Sequence, residues 1–181
     1  MTERASPPDG IAIREADASD AEAIATVHVD SWRAAYVGLV PQRVLDGLSV
    51  GRRRVFWARR LEDPGEDRTF VAEVDGRVVG FAGTSVPTDP GYPPGTAELA
   101  TIYLLPDAWR RGLGGRLMGR AMDDLAERGF SAVVLWVLAG NARGRGFYEA
   151  LGWRADGGAQ MLDFDGTPVE EVRYRLDLPA R

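Results

Sequence analysis

The chain has no lysine, no cysteine and a single histidine, His28. The missing lysine excludes a lysine phosphate loop, a Schiff base and a lysine general base. The missing cysteine excludes a thiolate nucleophile, a CxxC redox pair and thiolate-ligated zinc, and is compatible with a reducing compartment. One histidine cannot build a histidine metal cluster, although counting alone leaves a Ser–His pair open. Also absent is any apolar run approaching the roughly 18 residues of a membrane span. The opening stretch MTERASPPDG lacks the apolar core of a signal peptide. A cytoplasmic protein with no metal and no membrane partner is therefore expected. Positive charge is the scarcer sign: 22 arginines face 27 acidic residues, for a formal net charge of −5. General nucleic-acid binding, which needs a basic face, is not expected, and any polyanion must meet a local arginine cluster.

What is present suits a single core-bearing domain, since 45% of the 181 residues are hydrophobic. Residues 1–10 read as a flexible N-terminal tail, because Pro7, Pro8 and Gly10 cannot propagate regular structure, and 11–181 as one domain. A strand is expected from Ile11 to Arg14, then a helix to Tyr36 entered through Ser19 and Glu22 at capping-box spacing. VPQRVLDGL reads as a short helix with Pro41 in its first turn, and VGRRRVFWARRL as a third helix ending before Pro64. In that third helix the arginines form a solvated face around Val55, Phe56 and Trp57. TFVAEV and RVVGFAGTSV flank Asp75-Gly76, the signature of a type I′ hairpin, and Asp165-Gly166 marks a second hairpin at the C-terminal end. Between the hairpins, ELATIYLL, a glycine-rich helix entry, a helix to about Arg128 capped by Gly129, and AVVLWVL compose a βαβ unit. Seven apolar residues from Ala132 to Leu138 predict a parallel strand covered on both faces, in a mixed α/β fold.

The helix entry PDAWRRGLGGRLM carries chemistry. Leu113, Leu117, Ala121 and Leu125 recur every four residues and bury one face, while Gly112, Gly114 and Gly115 let a ligand approach the unpaired amides of the first turn. Phosphate is the natural guest; a tight turn with solvated arginines is the other reading. A dinucleotide loop would need glycine where Leu117 stands, and a lysine phosphate loop fails outright. The run through RRGLGG resembles the acyl-CoA pyrophosphate loop of the GNAT superfamily of N-acetyltransferases. NARGRGFYEALGW resembles that family's second signature, and SWRAAYVGLVP its acceptor-side helical region, so the likeness spans Ile11 to Leu178. One departure stands out: Trp109 occupies the loop position usually held by Gln or Arg.

The resemblance implies the GNAT acyl-CoA N-acyltransferase fold, a mostly antiparallel mixed sheet with a central parallel βαβ unit flanked by helices. It implies acetyl-CoA as co-substrate and an amine acceptor as partner, and it allows a homodimer. It lays the pantetheine arm along Ile102, Tyr103 and Leu104, and the pyrophosphate on the loop from Arg110, Arg111, Gly112 and Leu113 to Gly114 and Gly115. Arg116 is a further candidate for phosphate contact. Asn141 is expected either to cap its helix, to touch the pantetheine arm, or both. Glu98 stands where one branch of the family carries its base, but an ordinary strand-start charge reads equally well. Tyr148 is expected beside a core seam of Phe147 and Leu151, where its hydroxyl meets the leaving sulfur; a Leu104 amide is expected to bind the oxyanion. Trp32 and Tyr36 share a helix face with His28, as core or as an acceptor-pocket wall. Asp30, Asp89 and Glu98 are candidates to attract a cationic acceptor. With no cysteine, transfer is expected to be direct. A non-catalytic acyl-CoA sensor is the alternative function.

Overall fold

The computed structural model describes residues 10–87 and 91–179. Seven strands form one sheet in the order β1-β2-β3-β4-β5-β7-β6: β1 Ile11–Glu15, β2 Arg68–Val74, β3 Arg77–Ser85, β4 Thr96–Leu104, β5 Ala132–Leu138, β6 Arg154–Phe164 and β7 Thr167–Asp177. Five helices accompany them: α1 Ala21–Ala35, α2 Gln42–Asp46, α3 Val50–Glu62, α4 Leu113–Glu127 and α5 Ala142–Ala150. Among the described residues β4 and β5 are the one parallel pair, joined across α4, and every other neighbouring pair is antiparallel. None of the described helices is long and apolar enough to cross a membrane. The reading of residues 1–10 as a tail lies outside the described residues except at Gly10, whose carbonyl accepts from the Asp75 amide at 2.8 Å.

Local chemistry explains the connections. Asp75 and Gly76 have φ of 50° and 78°, and Asp165 and Gly166 repeat this at 52° and 81°, so both two-residue turns twist with their strands. The C-terminus of α4 is closed by Gly129 at φ 87°, with Phe130 N donating to Leu125 O and Gly129 N to Ala126 O, the paired bonds of a Schellman motif. Leu113, Leu117, Met118, Ala121, Met122 and Leu125 are all buried along one face of α4, and each leucine contributes about 2 kcal/mol of burial. β5 is buried everywhere except at Trp136, which is half-covered and donates its indole N–H to the Tyr92 hydroxyl. Successive residues of β4 show how the layers stack: Tyr103 meets His28 and Trp32 of α1, while Leu104 lies over Gly114 of α4. Neighbouring strand residues face opposite ways, so α1 and α4 cover opposite faces of the sheet.

Three local expectations change. The capping box is formed by Asp17 and Asp20 rather than Ser19 and Glu22: it closes a single 3-10 turn that precedes α1, and Asp20 Oδ2 accepts from Asp17 N at 2.8 Å. Aspartate reaches its own turn more readily than serine reaches across it. In α3, Trp57 points inward at 2% exposure, whereas Val55 and Phe56 stand in solvent at 47% and 46%. In α5, Leu151 is exposed at 36%, so the seam with Phe147 is half open; Phe147 packs on the backbone of Gly114 instead.

Asp20 also ties β1 to the helical layer, because its carboxylate takes two bonds of 2.7 Å from the Arg14 guanidinium, which also pairs with Glu73 on β2. Asp20→Ala leaves that half-buried cation paired with Glu73 alone and is expected to cost about 2 kcal/mol in urea denaturation, with part of the loss recovered when Arg14→Met is added.

Candidate active site

The site begins where pairing ends. β4 and β5 match only at Thr96↔Ala132, Ala97↔Val133 and Glu98↔Val134, and beyond Glu98 the two strands have no further partners in each other. Leu105 N donates to Val79 O on the β3 side. Backbone polar groups alternate along a strand, so those of Leu104 and Ile102 turn toward the gap, while those of Tyr103 turn toward β3. At the far end of β4 the chain enters α4 through Arg110 at φ 60° and Gly112 at φ 76°, and a Cβ on Gly112 would meet nothing within 4 Å. The first helical bond runs from Arg116 N to Gly112 O, so the amides of Leu113, Gly114 and Gly115 precede any partner within the helix. These amides and the positive end of α4 fit a phosphate, and the open β4 edge fits an extended amide-bearing arm. At Gly114 a Cβ would sit 3.1 Å from two Phe147 ring atoms, so this glycine also allows α5 to close on α4.

Trp109 has a definite task. Its indole N–H donates to Leu104 O at 2.9 Å, and the Arg143 guanidinium lies over its ring at 3.9 Å. The aromatic ring thereby brings an arginine from α5 to the glycine-rich loop, where Arg110 and Arg111 are exposed. Asn141 caps α5, with Oδ1 accepting from Gly144 N at 2.9 Å, and it also borders the gap. Tyr148 follows on the same helix, packed near Trp153 and Tyr174. α5 is held to β7 by the Tyr174 hydroxyl, which donates to Glu149 Oε1 at 2.6 Å and accepts from Arg145 Nε at 3.0 Å.

The gap widens into a cleft of about 250 Å³. Ile102, Tyr103, Glu98, Asn141 and Tyr148 line it, as do Trp32 of α1 and Tyr36 at that helix's C-cap, whose ring centroids stand 4.7 Å apart. The sequence reading missed the far wall: Trp136 of β5, Gln160, Leu162 and Phe164 of β6, and Glu171 of β7. Period-2 alternation along VEEVRYRL separates Glu171 from the inward Val172 and Tyr174, but nothing in the sequence says that this outer face folds over β4. Burial raises the Glu98 carboxyl above the usual carboxylate range, and the nearby Glu171 raises it further. Burial likewise raises the Tyr148 phenol, and Tyr103 adds to the effect, so Tyr148 stays protonated at neutral pH. Tyr36 is raised by burial, with Tyr103 and Tyr148 contributing. The Trp32 indole nitrogen is buried without a hydrogen-bond partner of ordinary geometry, although it lies close enough to Tyr103 to influence that phenol.

His28 and the two other acidic candidates separate from this group. His28 is buried in a box of Trp32, Trp57, Phe81 and Tyr103, and its Nδ1 accepts from Trp57 Nε1 at 3.3 Å. Asp30 is exposed on α1 and does not border the cleft. Asp89 lies outside the described residues. Among the described residues no group of three or more His, Asp or Glu side chains is arranged to hold a metal.

Comparison with known proteins agrees with this geometry. Residues 22–153 match the Acetyltransferase (GNAT) family. An uncharacterized N-acetyltransferase of Bacillus subtilis, YuaI, is 35% identical over 72% of this chain and 73% of its own length. A probable N-acetyltransferase of Mycobacterium tuberculosis is 28% identical over 93% of this chain and 95% of its own. Among solved structures, the PaiA N-acetyltransferase of Thermoplasma acidophilum in complex with coenzyme A superimposes with a TM-score of 0.67 at 22% identity, covering 90% of this chain and 97% of that one. The Brucella melitensis ribosomal-protein-alanine N-acetyltransferase gives 0.73 at 21% identity, covering 92% and 99%. The chain belongs to the GNAT acetyltransferase family. It is an N-acetyltransferase, with acetyl-CoA as the acetyl donor.

The buried histidine yields a pH test. Burial, aided by Arg53, holds the His28 pKa down to about 3 from 6.5, so the folded state keeps it neutral. A depressed pKa means that this group's contribution is complete above pH 6.5 and is lost as pH falls toward about 3. The slope approaches about 1.4 kcal/mol per pH unit. Urea midpoints are expected to fall more steeply over that window in the wild type than in His28→Asn, which keeps an acceptor for Trp57 and does not titrate.

Proposed function

We propose that the chain transfers the acetyl group of acetyl-CoA directly to a primary amine held in the cleft between α1, β4 and the β6–β7 hairpin. The observation that carries this reading is that the unpaired part of β4, the Tyr148 phenol and the Glu98 carboxylate line one cleft, and that β4 leads from it to the glycine-rich entry of α4. On this reading the loop amides from Arg110 to Gly115 take the pyrophosphate, and Arg110, Arg111 and the Trp109-stacked Arg143 add charge-assisted contacts. Ile102 offers its gap-facing backbone to the pantetheine arm and Asn141 its remaining amide donors, while Leu104, its carbonyl held by Trp109, borders the arm and keeps its amide for the reacting carbonyl. Tyr103 contributes its ring to the cleft rather than its backbone to the arm.

The acceptor amine has an ordinary pKa of about 10.4 and arrives as an ammonium ion. Glu98 takes one proton from it, directly or through water, and frees the lone pair. That lone pair attacks the thioester carbonyl carbon, and the developing oxyanion meets the Leu104 amide. The C–S bond then breaks: the departing sulfur takes its proton from the Tyr148 hydroxyl, the amide nitrogen gives up its second proton to restore that phenol through solvent, and Glu98 releases the first proton to bulk water. Trp32 and Tyr36 form the acceptor wall.

Release of CoA thiol from acetyl-CoA across a panel of primary amines tests the proposal. Failure to bind acetyl-CoA in calorimetry, or binding with no thiol release for any amine, overturns it. Glu98→Gln is expected to lower turnover about 10²-fold near neutral pH and to recover partly as free amine accumulates at high pH. Because the Glu98 carboxyl is raised and must be ionised to act, the wild-type kcat/KM is expected to rise with pH through a value above the ordinary carboxylate range. Tyr148→Phe is expected to lose a similar factor of about 10² with no rescue at high pH. In both variants acetyl-CoA affinity is expected to hold.

A further inference from the structure

Taking the cleft as the acceptor site of the proposed reaction, we infer that the acceptor is a diamine, with a second positive charge joined to the reacting amine by a short apolar chain. The argument is one of charge balance. The cleft contains two carboxylates, Glu98 from β4 and Glu171 from β7, with Glu171 near enough to oppose the ionisation of Glu98, and no arginine among the described residues that line it. Gln160 Nε2 donates to Glu171 Oε2 at 3.1 Å, which satisfies a lone pair and neutralises no charge. Arg173 follows Glu171 on the same face of β7 but is already paired with Asp156, its Nε lying 2.8 Å from Oδ2 and 3.1 Å from Oδ1. The other titratable groups lining the cleft are the phenols of Tyr36, Tyr103 and Tyr148; Arg53 of α3 lies near enough to act on the Tyr103 phenol but does not border the cleft.

A monoamine brings one positive charge and loses it at the step that matters. When Glu98 takes the proton, an ammonium and a carboxylate become a neutral amine and a carboxylic acid, and Glu171 is left anionic with no cation opposite. An unpaired charge in a partly buried site is costly. A second ammonium keeps its proton throughout, since nothing in the reaction removes it, and holds Glu171 paired while the first amine attacks. Trp32, Tyr36 and Phe164 give the cleft aromatic faces, which attract an ammonium and pack against methylenes, while the Trp136 ring already has the Arg173 guanidinium over it at 5.6 Å. A volume of about 250 Å³ lies at the small end of ligand sites and suits an alkyl chain.

A charge series tests this: cadaverine, pentylamine and ε-aminocaproate each carry a primary amine on a five-carbon alkyl chain, whose far end bears an ammonium, no further group or a carboxylate. With saturating acetyl-CoA, wild-type kcat/KM is expected to fall in that order by at least about tenfold per step. Glu171→Gln is expected to compress the series to within about threefold, and Glu171→Asp, which keeps the charge, to preserve the order. Glu171→Gln is also expected to shift the acid limb of kcat/KM to lower pH, because the charge that opposes Glu98 ionisation is gone, while acetyl-CoA affinity is unchanged. Equal rates across the series in the wild type, or a spread that survives in Glu171→Gln, overturns the inference. If none of the three amines is acetylated, the proposed function fails for this series, and calorimetry on the CoA-bound protein decides the inference separately. Cadaverine binding more tightly than pentylamine in the wild type but not in Glu171→Gln supports it, and equal binding overturns it.

Discussion

Parallel pairing between β4 and β5 stops after three residue pairs, and the molecule is arranged around the opening that follows. A central strand with an unpaired edge would ordinarily cost several backbone hydrogen bonds. Here the opening is held from outside: β3 fixes β4 on one side, β7 fixes β5 on the other, and α1 and α4 clamp opposite faces of the sheet. The strands therefore cannot close on each other, and the edge stays open to a substrate arm. Glu98 stands at the last matched pair, which places the proposed base at the apex where the sheet begins to part.

The entries of α4 and α5 are legible in the sequence because their chemistry is local. Gly112, Gly114 and Gly115 at the head of an amphipathic run announce a helix whose first amides are uncovered, and Asn141 ahead of RGRGFYE announces a capped short helix. Both turns with Asp-Gly were equally plain, since positive φ at two successive positions leaves few residue choices. The acceptor end was not readable, because it is assembled across long sequence separations. Glu171 and Phe164 meet Glu98 and Trp32 only after the last hairpin folds against β5. No spacing rule connects residues from α1, β4, β6 and β7. Trp32 and Tyr36 were left between core and pocket for the same reason, as an aromatic stripe looks alike in both settings. The capping box failed on a finer point: Ser19 and Glu22 had the right spacing, but Asp17 and Asp20 had it too.

Trp109 shows how a departure from the family pattern can be absorbed. A polar side chain at this loop position would be free to reach a ligand, whereas the indole N–H is committed to the carbonyl of Leu104. The ring face remains available, and Arg143 occupies it from the neighbouring helix. Positive charge returns to the loop by a different route, one that also joins α5 to the end of β4. Phe147 on Gly114 adds a second joint, from α5 to the first turn of α4.

The hairpin of β6 and β7 occupies the edge of the sheet and touches the rest of it through β5 alone. It nevertheless supplies Gln160, Leu162, Phe164 and Glu171 to the cleft, while the helix entry and open strand edge come from the middle of the chain. The two halves of the crevice thus lie on segments that can diverge separately. A lineage could exchange this terminal ribbon for another and reshape one wall of the cleft while the glycine-rich helix entry stays as it was.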